Sequence, residues 1–563
     1  MENNVSLRTS RTRYLLAAAM TLVALIPAVD AATAQTIPAQ TMSAQSGGRA
    51  TPGQHSIWRG DFDTNSAAWT IQTDGTAAEW RGWRFAERDA WFAAAKPAGV
   101  GCDPEQDAPL DPRCFLDQRN QFSRSRGVIA AVDNGIAAAK GAAVDAANPV
   151  STTLTSPGVP VSGQREIELV FSSHYRQAHK AVGRVTVSFD GGAETEILRY
   201  SPARISANDG GDVISGQEVV KVEVPNWAKT AVFRFGYTSN RPQLYWAVDD
   251  VVVRAPLTRL SGKAKATTLQ VFSDVQGEGL PYLDGALDLL HREAPNAGAM
   301  LLAGDVISGP RENNQEQQIQ EYNEVSSIFA AQKHLPPLLP AIGNHDVRST
   351  VLTRKQQVDN FVAFANKWGA KISKPYYEKV VGGVPIIVLG AEGTGTDPQQ
   401  QDISDAQVAF LTQRLAYWSA QRKQVVVMGH YPFAWSVSGT YGDFYGNGPR
   451  DEQLEQIIGR YPNVIYLGGH SHWSPYLRDW SARVRTTGGD PDGFTAINTG
   501  ALAMEFGPSP DNPWDEDSVT DRPESPSALT MAVYPDRTVV RAFDVLTGEQ
   551  INEVEVGNPL YRG

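Results

Sequence analysis

Hydrophobic and polar positions alternate in two different ways along the 563-residue chain. Between residues 56 and 256, short runs alternate apolar and polar side chains with a period of two, and Gly, Asn and Asp separate the runs. The runs are 165–171, 184–189, 219–224, 232–237 and 246–253. A period of two is that of a half-buried strand. The first pattern therefore predicts an all-β, jelly-roll-like sandwich domain at residues 56–256.

The pattern changes at about residue 266. Apolar runs then alternate with segments of helical period, such as residues 282–292, and a polar stretch at 311–324 is predicted to begin a further helix. The predicted strands are 267–272, 299–303, 338–342, 385–389, 425–428, 464–467, 494–498, 529–534 and 539–543. Alternating strands and helices predict an α/β domain over residues 266–555.

The first 55 residues contain two segments that we do not expect to belong to either domain. Residues 1–34 combine a basic stretch, an apolar run and the small residues Ala32-Thr33-Ala34. This order is typical of a secretory signal peptide, so we expect a periplasmic or secreted protein. The apolar run is shorter than the roughly 20 residues that span a membrane, so no transmembrane anchor is expected. Residues 35–55 are rich in Gln, Ala, Ser and Gly and predict a linker.

Cysteine content and charge narrow the picture further. Cys102 and Cys114 lie in one Pro- and Asp-rich segment. In an oxidising compartment they form a local disulfide, and the alternative is two free buried thiols. The formal net charge of -12 repels polyanions, so extended nucleic-acid binding is not expected.

The two ends of the predicted sandwich carry acidic residues. Asp61, Asp63 and Asp250 are candidates for a structural calcium site, and ordinary turn and strand-end aspartates are the alternative. The same ends loosely resemble secreted jelly-roll modules of the MAM or carbohydrate-binding kind. That resemblance implies a glycan or cell-envelope partner.

Polar residues bordered by glycine follow several apolar runs of the second half. They read Ser-Asp274-Val-Gln276-Gly, Gly-Asp305, Gly-Asn344-His345-Asp346, Gly-His430-Tyr-Pro and Gly-Gly-His470-Ser-His472. The carboxyl ends of parallel strands meet at one sheet edge, so we expect these side chains to share a cleft. Any one of them alone is more typical of a turn cap or a structural histidine. As an ordered set, the carboxylates, amide and imidazoles predict a site for Mn, Fe, Zn or Co.

This series resembles the calcineurin-like metallophosphoesterases, over about residues 266–545. The resemblance implies two mainly β sheets flanked by helices in four layers, and two metal ions whose bridging hydroxide attacks phosphorus in line. Carried over position by position, it assigns Asp274 and His472 to the first metal, Asp305 to both metals, and Asn344, His430 and His470 to the second. It also places His345 near the leaving-group oxygen, with Asp346 orienting it.

One position departs from this resemblance. Gln276 stands where the family has a histidine on the first metal. A neutral amide is a weaker donor than imidazole, so the first metal binds less tightly or is a harder ion such as Mn or Mg. The alternative is that Gln276 orders a water instead of binding metal. Ser308 stands where purple acid phosphatases have a tyrosine, which disfavours that branch.

Further residues near the motifs are candidate substrate contacts. Arg348 is a candidate phosphate clamp or a surface ion pair. Tyr431, Trp435 and Trp473 are candidates for stacking on the substrate, or for loop packing. The leading hypothesis is an exported two-metal phosphoester hydrolase acting on monoesters or diesters. The alternative is a secreted glycan- or envelope-binding protein with a degenerate phosphatase domain.

Overall fold

The computed structural model describes residues 56–74, 80–94, 119, 122, 125–176, 181–200, 213–241, 244–256, 265–392, 402–440, 450–506 and 525–562. The predicted signal peptide and linker, Cys102, Cys114 and residues 257–264 between the two predicted domains lie outside these ranges. Residues 50–563 form one compact unit. Within the described ranges, no helix is long and apolar enough to cross a membrane.

The N-terminal part consists of two six-stranded antiparallel sheets. Its strands are β1 (Ser56–Gly60), β2 (Thr70–Thr73), β3 (Trp83–Glu87), β4 (Val128–Asp133), β5 (Val150–Thr155), β6 (Val159–Pro160), β7 (Glu166–Arg176), β8 (Val182–Phe189), β9 (Thr195–Arg199), β10 (Val213–Glu223), β11 (Thr230–Ser239) and β12 (Tyr245–Arg254). One sheet has the order β10-β7-β12-β4-β3 with β1 beside β12, and the other β2-β5-β11-β8-β9 with β6 beside β11. Trp69, Trp83 and Trp246 lie in the shared core. The predicted all-β sandwich is confirmed.

Three short helices interrupt the sandwich, and the sequence pattern predicted none of them. They are α1 (Phe62–Asn65), α2 (Arg88–Ala94) and α3 (Asn134–Ala139). The Asp133 carboxylate accepts the backbone N–H of Ile136 at 2.9 Å and so caps α3. Helices of four to seven residues span at most two turns, which is too short for a helical period to show in the sequence.

The C-terminal part contains two mixed six-stranded sheets and six helices among the described residues. Its strands are β13 (Thr267–Phe272), β14 (Ala299–Leu302), β15 (Leu338–Pro340), β16 (Tyr377–Val381), β17 (Val384–Val388), β18 (Val425–Met428), β19 (Val464–Gly468), β20 (Ser481–Val484), β21 (Phe494–Asn498), β22 (Ser527–Val533), β23 (Arg537–Asp544) and β24 (Gln550–Gly557). Its helices are α4 (Leu280–Glu293), α5 (Gln315–Ala331), α6 (Asn344–Val347), α7 (Arg354–Lys367), α8 (Asp405–Ala420) and α9 (Asp451–Ile458). The sheet orders are β15-β14-β13-β22-β23-β24 and β16-β17-β18-β19-β21-β20.

The two sheets face each other and helices cover their outer sides. On β18, Val426 and Met428 belong to the core that contains both sheets, α4, α5 and α7. The alternate residues Val425 and Val427 face a second core with α8 and α9. This period of two places β18 between two apolar layers. The predicted four-layer fold is therefore confirmed, with β13–β15 parallel to one another and β17–β19 parallel in the second sheet.

The structure does not form the predicted calcium site from the sandwich aspartates. Asp61 caps α1, and Asp63 accepts the backbone N–H of Val128 at 2.6 Å. Arg485 forms an ion pair with Asp250 and lies 3.6 Å from Asp61. Arg485 and backbone N–H groups therefore compensate the negative charge of these aspartates, in place of the calcium ion that the sequence suggested.

Candidate metal centre

The predicted metal ligands lie where parallel strands end. Asp274 follows β13 by two residues and Asp305 follows β14 by three, in one sheet. In the other sheet, His430 follows β18 by two residues and His470 follows β19 by two residues. Because the two sheets face each other, the carboxyl ends of four strands bring their loops to one edge of the molecule.

The backbone at this edge is unusual. Five residues of the motifs adopt the left-handed conformation that glycine favours. Their φ angles are 51° for Asp274, 46° for Gln276, 50° for Asp305, 65° for His470 and 55° for His472. Left-handed residues other than glycine cost free energy and concentrate where function requires a particular side-chain direction.

The first of two ligand groups surrounds the Nε2 atom of His430. That atom lies 3.2 Å from Asp305 Oδ2 and 3.0 Å from Asn344 Oδ1. Asp305, His430 and His470 each offer an atom to a set whose members lie within 4.8 Å of one another. His430 Nδ1 donates to the carbonyl oxygen of Ala303 at 2.8 Å, so the lone pair of its neutral ring is on Nε2, facing the carboxylate. The four residues proposed for the second metal are thus together.

The second group shares Asp305. It contains Asp274, Asp305 and His472, again with one ligand atom each within 4.8 Å. His472 Nε2 lies 3.1 Å from Asp274 Oδ1, and His472 Nδ1 donates to the Met504 carbonyl oxygen at 3.0 Å. The side-chain amide nitrogen of Gln276 lies 3.1 Å from Asp305 Oδ2 and 3.3 Å from His472 Nε2. A rotation by 180° exchanges its oxygen and nitrogen, so the oxygen can face the same group.

Two motif glycines are required because ligand side chains pass close to them. A Cβ on Gly343 would lie 2.1 Å from Asp305 Oδ1, and one on Gly304 would lie 2.3 Å from His430 Nδ1. Real Cβ atoms do not approach other atoms so closely. These glycines make room for the metal ligands, in addition to the tight turns that the sequence predicted.

Charge compensation shows that the groups suit cations. Burial lowers the pKa of His430, but the carboxylates of Asp305 and Asp274 outweigh burial and raise this pKa to about 9. The pKa of His472 is raised although burial opposes the shift, because Asp274 outweighs it. Burial raises the pKa of Asp305, but His430 and His345 outweigh it and hold that pKa far below its ordinary value. These buried carboxylates strongly favour a positive charge beside them, which is what a metal site requires. The oxygen and nitrogen donors also suit metal ions.

His345 lies beside both groups without belonging to either. Its Nε2 is 3.8 Å from Asp305 Oδ2, and its Nδ1 donates to the Ser308 carbonyl oxygen at 2.7 Å. Arg348 Nη1 lies 3.1 Å from His345 Nε2 and donates to it. Burial lowers the pKa of His345. The Asp305 carboxylate opposes this shift, and the Arg348 charge adds to it.

Asp346 does not orient His345 as the resemblance implied. The Asp346 carboxylate accepts the backbone N–H of Gly343 at 2.8 Å and the hydroxyl of Tyr322 at 3.1 Å. Among the hydrogen bonds of the described residues, none joins Asp346 to the His345 imidazole. Asp346 closes the turn that carries Asn344, and Ser308 and Arg348 orient the His345 ring instead.

The candidate substrate contacts are mostly engaged within the protein. Arg348 donates to the carbonyl oxygens of Gly309 and Ser308, both at 2.8 Å, so it holds this loop as well as His345. Tyr431 is 2% exposed and Trp473 is 4% exposed, so both are packing residues in this structure.

Trp435 is half-buried, but the sandwich covers one of its faces. Its ring stacks on Phe92 of α2 with centroids 5.6 Å apart, and the Arg88 guanidinium lies 4.9 Å from its ring centre. The sandwich therefore contacts the loop that begins at the ligand His430.

The groups that hold the side chains of the motifs in place could not be read from the sequence. The carbonyls of Ala303, Ser308 and Met504 and the Tyr322 hydroxyl all act through tertiary contacts. Every residue has a carbonyl group, so no residue type marks such an acceptor. Tyr322 lies on α5, where its helical spacing indicates only a buried side chain.

Comparison with known proteins identifies this region. Residues 268–474 match the family model of calcineurin-like phosphoesterases. Among solved structures, a dimetal phosphatase from Danio rerio is 14% identical, with a TM-score of 0.37, 52% of this chain covered and 98% of that chain. A structure described as PhoD is 13% identical, with a TM-score of 0.35 and coverages of 72% and 86%.

A third solved structure is similar to a smaller share of the chain. The K1 cleaved adhesin domain of Lys-gingipain from Porphyromonas gingivalis W83 is 14% identical, with a TM-score of 0.21, 35% of this chain covered and 97% of that chain. No curated protein matches the chain. The match to calcineurin-like phosphoesterases over residues 268–474 includes every residue of the two Asp and His groups that could hold metal ions.

Proposed function

We propose that this protein hydrolyses phosphate esters with two metal ions. The observation that carries the proposal is the pair of ligand groups that share Asp305. Asp305, Asn344, His430 and His470 would hold one ion. Asp274, His472, Asp305 and the amide oxygen of Gln276 would hold the other. Mn, Fe, Zn and Co all suit this donor set.

When bound, the two ions would polarise the phosphoryl oxygens and acidify the attacking water. The chain's own residues then have positioning roles. His345 Nε2 lies 3.8 Å from the shared carboxylate, where in the protonated ring it could donate to a phosphoryl or leaving-group oxygen. Arg348 and the Ser308 carbonyl fix the direction of that ring. The backbone around Asp305 fixes its carboxylate, since His345 N–H donates to Asp305 Oδ1 at 2.9 Å.

The test is metal-dependent release of nitrophenol from mono- and bis-nitrophenyl phosphate. Loss of a group that merely supports a ligand lowers metal affinity or activity by about 10- to 100-fold. The hydrolysis rate of Asp305→Asn is therefore expected to fall by at least about 100-fold. It is also expected to bind fewer ions in a metal titration. The matched control is Asp359→Asn, which removes an exposed carboxylate paired with Lys355 and is expected to behave as the unmodified protein.

A failure of this test would favour the alternative. No turnover of either ester with Mn, Fe, Zn or Co would support the glycan- or envelope-binding protein with a degenerate phosphatase domain. That role of the sandwich, and the choice between monoester and diester, remain predictions. Binding of the whole chain to an immobilised glycan array would test the first, and the ratio of the two nitrophenyl ester rates the second.

We also propose that the protein is exported. The proposal rests on the order of basic, apolar and small residues in 1–34. The expected mature N-terminus is Gln35, and sequencing the N-terminus of protein recovered from the periplasm or medium checks it. Protein found only in the cytoplasm with residues 1–34 attached would contradict export.

A further inference from the structure

An apolar surface lies directly beside the first-metal group. Met504 is 44% exposed, so part of a large apolar side chain is open to solvent there. Its backbone carbonyl oxygen accepts from His472 Nδ1 at 3.0 Å, so residue 504 lies beside that candidate ligand. The ring of Phe506 stacks on the His472 imidazole, with centroids 5.7 Å apart and planes at 14°. We call the surface of Met504 and Phe506 the apolar shelf.

The shelf is held in place from below. Phe506 and Trp435 both pack against the small buried cluster of Trp473 and Leu477. Backbone hydrogen bonds fix the segment that carries Phe506, since its N–H donates to the His472 carbonyl at 2.7 Å and its carbonyl accepts from Ser474 at 2.9 Å. The shelf thus has a fixed distance from His472.

A phosphoester that reaches the metals has to place its organic group somewhere nearby. The phosphoryl group is polar and small, and the ligand groups surround it with carboxylates and imidazoles. The shelf offers apolar area next to His472, on which Phe506 stacks. Removing apolar area from water lowers the free energy of binding. Polar loop residues would serve a polar alcohol group better, because they could donate to its hydroxyls.

We propose that the organic group of the substrate packs on Met504 and Phe506, so that the enzyme prefers phosphate esters of apolar alcohols to those of small alcohols. This inference rests on the proposed phosphoesterase function. It assigns Met504 and Phe506 as specificity-determining residues.

The experiment compares ethyl phosphate with hexyl phosphate. Their leaving alcohols are close in acidity, so a difference in kcat/KM reports contacts of the alkyl chain. Each methylene that leaves water strengthens binding by about fourfold, and partial coverage of the added chain predicts a preference of about tenfold for hexyl phosphate. Met504→Gln keeps the side-chain length and removes its apolar character, so the preference is expected to fall towards one. Met504→Leu is expected to retain it.

A control and a second measurement separate the possible outcomes. Leu546→Gln changes an exposed apolar residue on the β23–β24 turn, and the hexyl preference is expected to persist there. Affinities of ethylphosphonate and hexylphosphonate for the Mn-loaded protein, measured by calorimetry, test the shelf without turnover. Tighter hexylphosphonate binding without turnover of either nitrophenyl ester would overturn the proposed function and support the shelf. Equal affinities for the two phosphonates, or a preference that Met504→Gln leaves unchanged, would overturn this inference.

Discussion

Gln276 is the residue at which this candidate metal centre departs from the motif pattern that the rest of the chain matches. Its amide lies 3.1 Å from Asp305 and 3.3 Å from His472, in the position that a first-metal ligand requires. Its left-handed backbone, with φ of 46°, directs the side chain into the cleft. The amide therefore faces the candidate first-metal group, and its oxygen would be a weaker donor to a metal ion than imidazole.

Replacing Gln276 with histidine is expected to strengthen the first-metal site. Imidazole is the better donor to Zn or Co, and affinity for the weaker-bound of two ions should rise by at least about tenfold, the lower end of effects seen around metal ligands. Calorimetric titration with Zn measures this. Gln276→Ala is the control and should weaken the same site. Equal affinities in all three proteins would show that Gln276 is not a ligand and instead orders a water.

At the scale of elements, the site depends on loops that follow parallel strands. Two of these loops approach each other closely through their backbones. The loop after β14 contains Gly309, at φ +50°, and a Cβ there would lie 1.9 Å from the His345 carbonyl oxygen. The same loop orients the His345 ring through Ser308. Close backbone contact between these two loops therefore positions His345.

Gly309→Ala is expected to separate the two loops and to lower kcat. A displacement of about 1 Å in a catalytic group costs about 100-fold in rate, and the protein should also unfold at a lower temperature. The control is Gly488→Ala, which has φ of +72° and open space where the Cβ would lie. That variant should lose about 1 kcal/mol of stability from backbone strain alone and keep its kcat. Equal effects of the two substitutions on kcat would contradict the loop contact.

At the scale of the whole molecule, the sandwich and the phosphoesterase part are joined by charges and rings. Arg485 of the segment after β20 reaches Asp250 of β12, and Arg126 pairs with Glu455 of α9 at 2.7 Å. Burial raises the pKa of Asp250, and Arg485 opposes this shift. The junction therefore contains a nearly buried carboxylate that depends on a residue from the other part.

Arg485→Ala is expected to destabilise the protein by up to about 3–5 kcal/mol, because it removes the ion-pair partner of buried Asp250 and leaves only the weaker attraction of Arg59. Denaturant unfolding measures the change. Arg541→Ala is the control, since it breaks an exposed pair with Glu553 and should cost no more than about 1 kcal/mol. The double variant Arg485→Ala/Asp250→Asn should recover part of the loss. A loss for Arg485→Ala no larger than that of the control would show that this pair does not stabilise the junction.

The sequence alone determined the two kinds of fold and the set of candidate metal donors. Runs of period two and strand–helix alternation depend on which faces are buried, and this is local information. Strands β13, β18 and β21 begin and end where the pattern predicted. Short elements such as α2 and strand β16 were missed, since a few residues are not enough to show a period.

Only the tertiary structure decided how the donors are held and what surrounds them. It moved Asp346 from the ring of His345 to the turn at Gly343, buried Tyr431 and placed Phe92 of the sandwich on Trp435. These contacts join residues far apart in the chain, and their geometry depends on packing that no local pattern encodes. Residue types fixed the available chemistry, and packing fixed the directions in which the side chains point.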